Sequence, residues 1–168
     1  MPKIIENLPQ RLAEEARRQI EQSGFSAMTI RSVAKACGVG VGTVYNYFPS
    51  KEALVATFML TDWMNCVASI EGCATDAQNL EPVLKRIHEQ LHLFMTKFDP
   101  IFRDESAVSG YTGALTKYHS MLRMQLAAPI RKFCRDDFTA EFIAESMLTW
   151  TVAGKDFDTL KSILLRIN

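Results

Sequence analysis

Apolar residues return every three to four positions through most of this chain, and the places where that rhythm fails divide it into helices. The first stripe, Leu12, Ala13, Ala16 and Ile20, follows Pro9, which suits a first helical turn, and ends at Ser23-Gly24. Glu14, Glu15, Arg17 and Arg18 fall outside it. Thr29 then caps a helix whose apolar face is Ile30, Val33, Ala34 and Cys37, and Gly38 ends it. A short helix is expected from Val41 to Phe48, with Gly40 as its N-cap and Pro49 closing it. Phe25, Ile30, Val33 and Val44 complete a small three-helix core with the first stripe.

A long helix starts at Ser50 and runs through Leu54, Val55, Phe58, Met59 and Trp63 to near Ile70, followed by a loop at 72–76. Leu80, Leu84, Ile87, Leu91, Phe94 and Phe98 predict the next helix, broken at Asp99-Pro100. A short helix over 101–108 and a break at Ser109-Gly110 come next. The stretch from Tyr111 to Cys134 carries Leu115, Tyr118, Leu122 and Leu126, and Pro129 should kink or break it. Two helices split at Gly154-Lys155-Asp156 fill the rest, and no strand pattern with turn signals is present. The expected fold is all-α.

Those last two helices carry more apolar residues than one core-facing stripe needs. Phe142, Ile143, Met147, Leu148, Trp150 and Val152 are spread around the first, and Phe157, Leu160, Ile163, Leu164, Leu165 and Ile167 around the second. A helix apolar on more than one face must be buried on more than one side. A homodimer with a four-helix interface follows, through Phe142, Met147, Trp150, Phe157, Leu160 and Leu164.

Helix, glycine turn and short helix make a helix-turn-helix, whose second helix enters the DNA major groove while the first crosses the backbone. The stretch TIRSVAKACGVGVGTVYNYFPSKEAL resembles the DNA-binding domain of the TetR/AcrR family of bacterial transcriptional regulators. Thr29, Val33, Ala34, Gly38, Val39, Gly42, Thr43, Tyr45, Tyr47, Phe48, Lys51 and Leu54 carry the match. Cys37 stands where that family usually has alanine, and Gly40 where it usually has a serine that caps the recognition helix and reaches a phosphate. The resemblance implies that Gly42 lets the backbone approach DNA, that Tyr45 and Tyr47 reach phosphates, and that Thr29 and Lys51 anchor the backbone. No charged side chain lies between Val39 and Phe48. Base reading therefore falls to the Thr43 hydroxyl and to the Val41 methyls against thymine, with phosphate contacts added by Arg31 and Lys35.

Net charge is zero, which by itself argues against nucleic acid, but the charges are unevenly placed. Up to Lys51 there are seven Lys/Arg against four Asp/Glu, and after it twelve against fifteen. A mildly basic head on an acidic body fits a protein that shows one end to DNA. The expected division is a helix-turn-helix domain at 1–50 and a helical effector-binding and dimerisation domain at 51–168. By resemblance the second holds a pocket for a small, often hydrophobic effector, for which Trp63, Phe94, Phe98, Phe102, Tyr118 and Met121 are the candidates.

The opening MPKIIENLPQ lacks the apolar core of a secretory signal, and no uninterrupted apolar stretch is long enough for a bilayer, so a cytoplasmic protein without a membrane partner is expected. Four scattered cysteines, none in a C-x-x-C pair, read as reduced thiols. His88-Glu89-Gln90-Leu91-His92 matches the H-E-x-x-H arrangement of zinc proteases. It lies beside the buried stripe with only His119 as a possible third ligand, so the expectation is no metal, no cofactor and no catalysis. The reading is a ligand-responsive regulator, more a repressor than an activator, acting as a homodimer on a pseudo-palindromic operator. Its alternatives are a zinc-dependent hydrolase using His88, Glu89 and His92, and a DNA-binding regulator whose body binds a protein.

Overall fold

A computed structural model describes residues 7–104 and 119–167, and every described element is helical. The helices are α1 (Leu8–Ser23), α2 (Ile30–Cys37), α3 (Val41–Tyr45), α4 (Lys51–Asp76) and α5 (Leu80–Phe102). After them come α6, described over 119–130, a 3₁₀ turn at Arg131–Phe133, α7 (Asp137–Val152) and α8 (Phe157–Ile167). The chain forms two compact units. One holds the described residues at 7–61 and 98–104, the other those at 62–97 and 119–167.

In the first unit, α1 and α2 pack through Leu12, Ala16, Ile20, Val33 and Ala34, and Phe25, Met28, Val44, Leu54 and Val55 close the core. Burying a side chain of this size is worth about 1.5–3 kcal/mol, so even this small cluster can order three short helices. Phe58 of α4 stacks on Phe98 of α5, with ring centroids 6.1 Å apart. Arg17 of α1 covers the same Phe58 ring at 5.0 Å and donates to its carbonyl at 3.3 Å.

The second unit is built on Val67, Ile70, Leu84, Ile87, Leu126, Ile130, Ile143 and Met147, all buried. Trp63 donates from Nε1 to Gln125 Oε1 at 2.6 Å and meets Phe94 edge-on at 5.6 Å. Asp62 pairs with Lys97 at 2.6 Å.

Several expectations need correction. The short helix ends at Tyr45 rather than Phe48, and bonds from the Tyr47 and Phe48 amides to the Val44 carbonyl carry the chain to Pro49. Residues 72–76 are not a loop: α4 continues through Gly72 to Asp76. A glycine costs a helix only about 1 kcal/mol against alanine, and burial of Ile70 and Ala74 on either side outweighs that. Nor does Pro100 break α5, which runs on to Phe102. An interior proline costs roughly 3 kcal/mol, whereas burying Phe98 and Ile101 beside it recovers about 1.5–3 kcal/mol each. Of the short helix expected over 101–108, the first two residues belong to α5 and 105–108 lie outside the described residues. Tyr111, Leu115 and Tyr118 also lie outside them. Pro129 falls in the last turn of α6, where the chain passes into the 3₁₀ turn.

By length and composition alone α4 is apolar enough to cross a membrane, although charged residues interrupt it. Its apolar residues serve both units: Leu54, Val55 and Phe58 in one, Trp63, Val67, Ile70 and Ala74 in the other. Three residues assigned to a dimer surface, Met147, Leu160 and Leu164, are buried in the core of their own unit. Of the other residues assigned to that surface, Phe142 and Trp150 remain about half exposed.

Candidate nucleic-acid interface

The helix-turn-helix is set by three local devices. Thr29 lies in extended backbone and forms a capping box with Ser32: Thr29 Oγ1 accepts from the Ser32 amide at 3.0 Å, and Ser32 Oγ accepts from the Thr29 amide at 3.1 Å. Ser32 Oγ also donates to Gln19 Oε1 at 2.5 Å, which ties α2 to α1. At the far end Gly38 has φ 70°, a conformation that strains any residue with a Cβ. The amides of Gly38 and Val39 bond back to the carbonyls of Lys35 (3.2 Å) and Ala34 (3.0 Å), the double closure of a Schellman turn. The third device is Val44, fully buried, which pins α3 by one side and leaves the other for solvent.

That outer side carries the predicted contacts. Gly40 and Gly42 are exposed, Val41 and Thr43 are half-buried, and Tyr45 and Tyr47 are each about half exposed. Arg31 and Lys35, the cations that precede α3 in sequence, are exposed on α2. Gly40 starts α3 with no side-chain cap, and a Cβ there would meet only Thr43 Oγ1, at 3.8 Å. A Cβ at Gly42 would meet nothing within 4 Å. An uncharged tip of small, hydroxyl and aromatic groups flanked by cations can approach DNA closely, touch thymine methyls and hydrogen-bond phosphates.

Thr29 is spent in the capping box, though it is exposed. Lys51 is placed differently from a free anchor: Nζ donates to the Phe25 carbonyl and stands 4.0 Å over the Phe25 ring. Burial there pulls its pKa below the usual lysine range, an effect that nearby Asp104 and Glu52 partly oppose. Cys37 is half-buried against the Arg11 carbonyl (3.8 Å), and burial raises its thiol pKa, so it stays protonated. Asp104 also bonds Ser26, a contact no sequence pattern announced because the two stand 78 residues apart.

The effector-pocket candidates divide. Trp63, Phe94 and Met121 belong to the second unit, Phe98 and Phe102 to the first, and Tyr118 lies outside the described residues. A depression in the second unit, lined by Ser69, Cys73, Asp76 and Arg86 among others, contains none of them.

In the H-E-x-x-H segment, His88 Nε2 lies 3.0 Å from the Lys155 carbonyl and Glu89 faces Arg86 at 3.7 Å. The rings of His88 and His92 lie parallel with centroids 6.5 Å apart, and His119 pairs with Glu145 at 3.4 Å. Among the described residues no three His, Cys, Asp or Glu side chains are grouped as a metal would need.

Residues 12–57 match a protein family described as bacterial regulatory proteins, tetR family. Over 83 residues the chain is 30% identical to the HTH-type transcriptional regulator UidR of Escherichia coli (strain K12), a match covering 47% of this chain and 42% of that protein. The chain thus aligns with under half the length of this relative. Among solved structures, Salmonella enterica GusR superposes with a TM-score of 0.68 at 20% identity, covering 96% of each chain. Thermus thermophilus FadR, a TetR family repressor solved in complex with lauroyl-CoA, superposes with a TM-score of 0.61 at 20% identity, covering 95% of this chain and 92% of its own. At these identities the superpositions establish a shared fold.

Proposed function

Since this chain belongs to the TetR/AcrR family of bacterial transcriptional regulators, we propose that it is a sequence-specific DNA-binding repressor, working in the cytoplasm as a homodimer and released from its operator by a small molecule. The observation that carries the reading is the outer side of α3. Gly42 and Tyr45 on α3, with Gly40 before it and Tyr47 after it, stand in solvent while Val44 locks the inner side, and Arg31 and Lys35 are exposed on the preceding helix.

In this reading the DNA-binding part is residues 1–50. The tip of α3 enters a major groove, Thr43 and Val41 meet base edges, and Tyr45, Tyr47, Arg31 and Lys35 hold the phosphates. Two copies fit successive grooves when their recognition helices stand about 34–36 Å apart, or a multiple of that. Dimerisation is supported by Phe138, Phe142, Trp150 and Val152 on α7 and Ile163 and Leu165 on α8, large apolar side chains that remain exposed. Residues 51–168 would hold the effector. In this reading Trp63, Phe94 and Met121 are its candidate contacts, and one structurally similar repressor was solved with lauroyl-CoA. Effector and operator would then oppose each other, because each favours a different separation of the two recognition helices.

Selection of bound fragments from genomic DNA by the purified protein, followed by sequencing, tests this. A recurring two-fold symmetric site is the expected result. A protein that enriches nothing at low salt, before and after refolding from denaturant to strip any bound effector, is not an operator-binding regulator.

A further inference from the structure

The loop between α1 and α2 contains a peptide group held at both ends by side chains from distant parts of the chain. The group joins Phe25 to Ser26. Its carbonyl accepts from Lys51 Nζ, at the start of α4. Its N–H donates to Asp104 Oδ2 at 3.1 Å, and the Ser26 hydroxyl donates to the same oxygen at 2.5 Å. A cation thus sits at the negative end of one peptide dipole and an anion at its positive end, and hydrogen bonds to charged groups are about twice as strong as neutral ones. The loop is short, running from Gly24 to the Thr29 cap, so fixing one of its peptides restricts how α2, and α3 behind it, can be oriented on α1. Lys51 is the first residue of α4, whereas Asp104 lies two residues past the end of α5.

We propose that Asp104 is a positioning residue for DNA binding: with Lys51 it clamps the Phe25–Ser26 peptide and keeps the recognition helix in the orientation that fits a major groove. The proposal rests on the DNA-binding reading above. It also gives Lys51 an internal role. A Lys51 that left for a phosphate would abandon the Phe25 carbonyl and the ring beneath it.

The test uses the full-length protein and a fragment that the wild type selects from genomic DNA. Affinity and its dependence on salt are measured for wild type, Asp104→Ala, Asp104→Asn and Ser26→Ala. The expected result is an Asp104→Ala protein about tenfold weaker with an unchanged salt slope. Asp104→Asn, whose amide oxygen can still accept from the Ser26 amide, should recover most of the loss, and Ser26→Ala should fall between. Hydrogen exchange at the Ser26 amide, measured on the wild type, should be slow both free and operator-bound. Wild-type affinity for Asp104→Ala overturns the clamp. So does tighter binding with a salt slope steeper by about one per head, which would mean that Lys51 goes to a phosphate. If Asp104→Ala does not fold, exchange at Ser26 that speeds up on operator binding overturns it on wild-type protein alone. A wild type that selects no fragment instead overturns the DNA-binding reading, and this proposal with it.

Discussion

At Gly42 nothing inside the fold requires a glycine. It sits within α3, and nothing in the chain lies near where its Cβ would be, so alanine should fit and should favour the helix by about 1 kcal/mol. Gly42→Ala is therefore expected to raise the thermal midpoint by a few degrees and to weaken operator binding at least tenfold, because the added methyl meets DNA instead of protein. Calorimetry and a binding titration on the same preparation check both halves; equal stability and unchanged affinity would remove the assigned close approach. Gly38 is the opposite case. Its φ of 70° makes the turn itself depend on glycine, so its substitution should cost about 1–2 kcal/mol of stability whether or not DNA is present.

Among the elements, α7 and α8 begin with the same device. The Asp136 carboxylate accepts from the Thr139 amide at 2.6 Å, and Asp156 accepts from the Thr159 amide at 2.9 Å. Those backbone bonds are the largest reason that both carboxyls titrate below the usual aspartate range, followed by the threonine hydroxyls. A folded value below the unfolded one means stability that is complete above the ordinary aspartate pKa and lost as pH falls through the lowered value, below about pH 4. Unfolding of the wild type followed from pH 6 to pH 2 should show this loss, and a protein carrying both Asp136→Asn and Asp156→Asn should lose less over the same window. An identical pH dependence in the two proteins would place the acid sensitivity elsewhere.

For the whole molecule, the apolar side chains divide into those that hold a unit together and those left exposed. On α7 Thr139, Ala140, Ile143, Ala144, Met147, Leu148 and Thr151 are buried, whereas Phe138, Phe142, Trp150 and Val152 are about half exposed or more. Phe142→Glu with Trp150→Glu should give a folded monomer with helical content preserved and operator binding at least a hundredfold weaker. Sedimentation and circular dichroism together check this, and a variant that remains dimeric moves the interface to another surface. Leu160→Glu belongs to a different class: the side chain is buried beside Leu164, so an unpaired charge there should unfold the unit instead of splitting a dimer.

Much of this was legible in the chain alone, for stated reasons. The helix-turn-helix depends on local devices, a capping threonine, a glycine at positive φ and a short apolar face, and each is visible within a few residues of sequence. The division of the C-terminal stretch at Gly154 was local in the same way. What sequence could not decide was where an element stops once packing outweighs local preference. Gly72 and Pro100 both read as breaks, and both lie inside helices because Ile70, Ala74, Phe98 and Ile101 are buried around them. Periodicity likewise could not separate Met147 and Leu160 from Trp150 and Phe142, since all four are apolar and only the tertiary arrangement shows which face is already covered. The Lys51 and Asp104 clamp is the clearest case: its two charges grip one peptide from positions 26 and 78 residues away, a relation that exists only after the chain has folded.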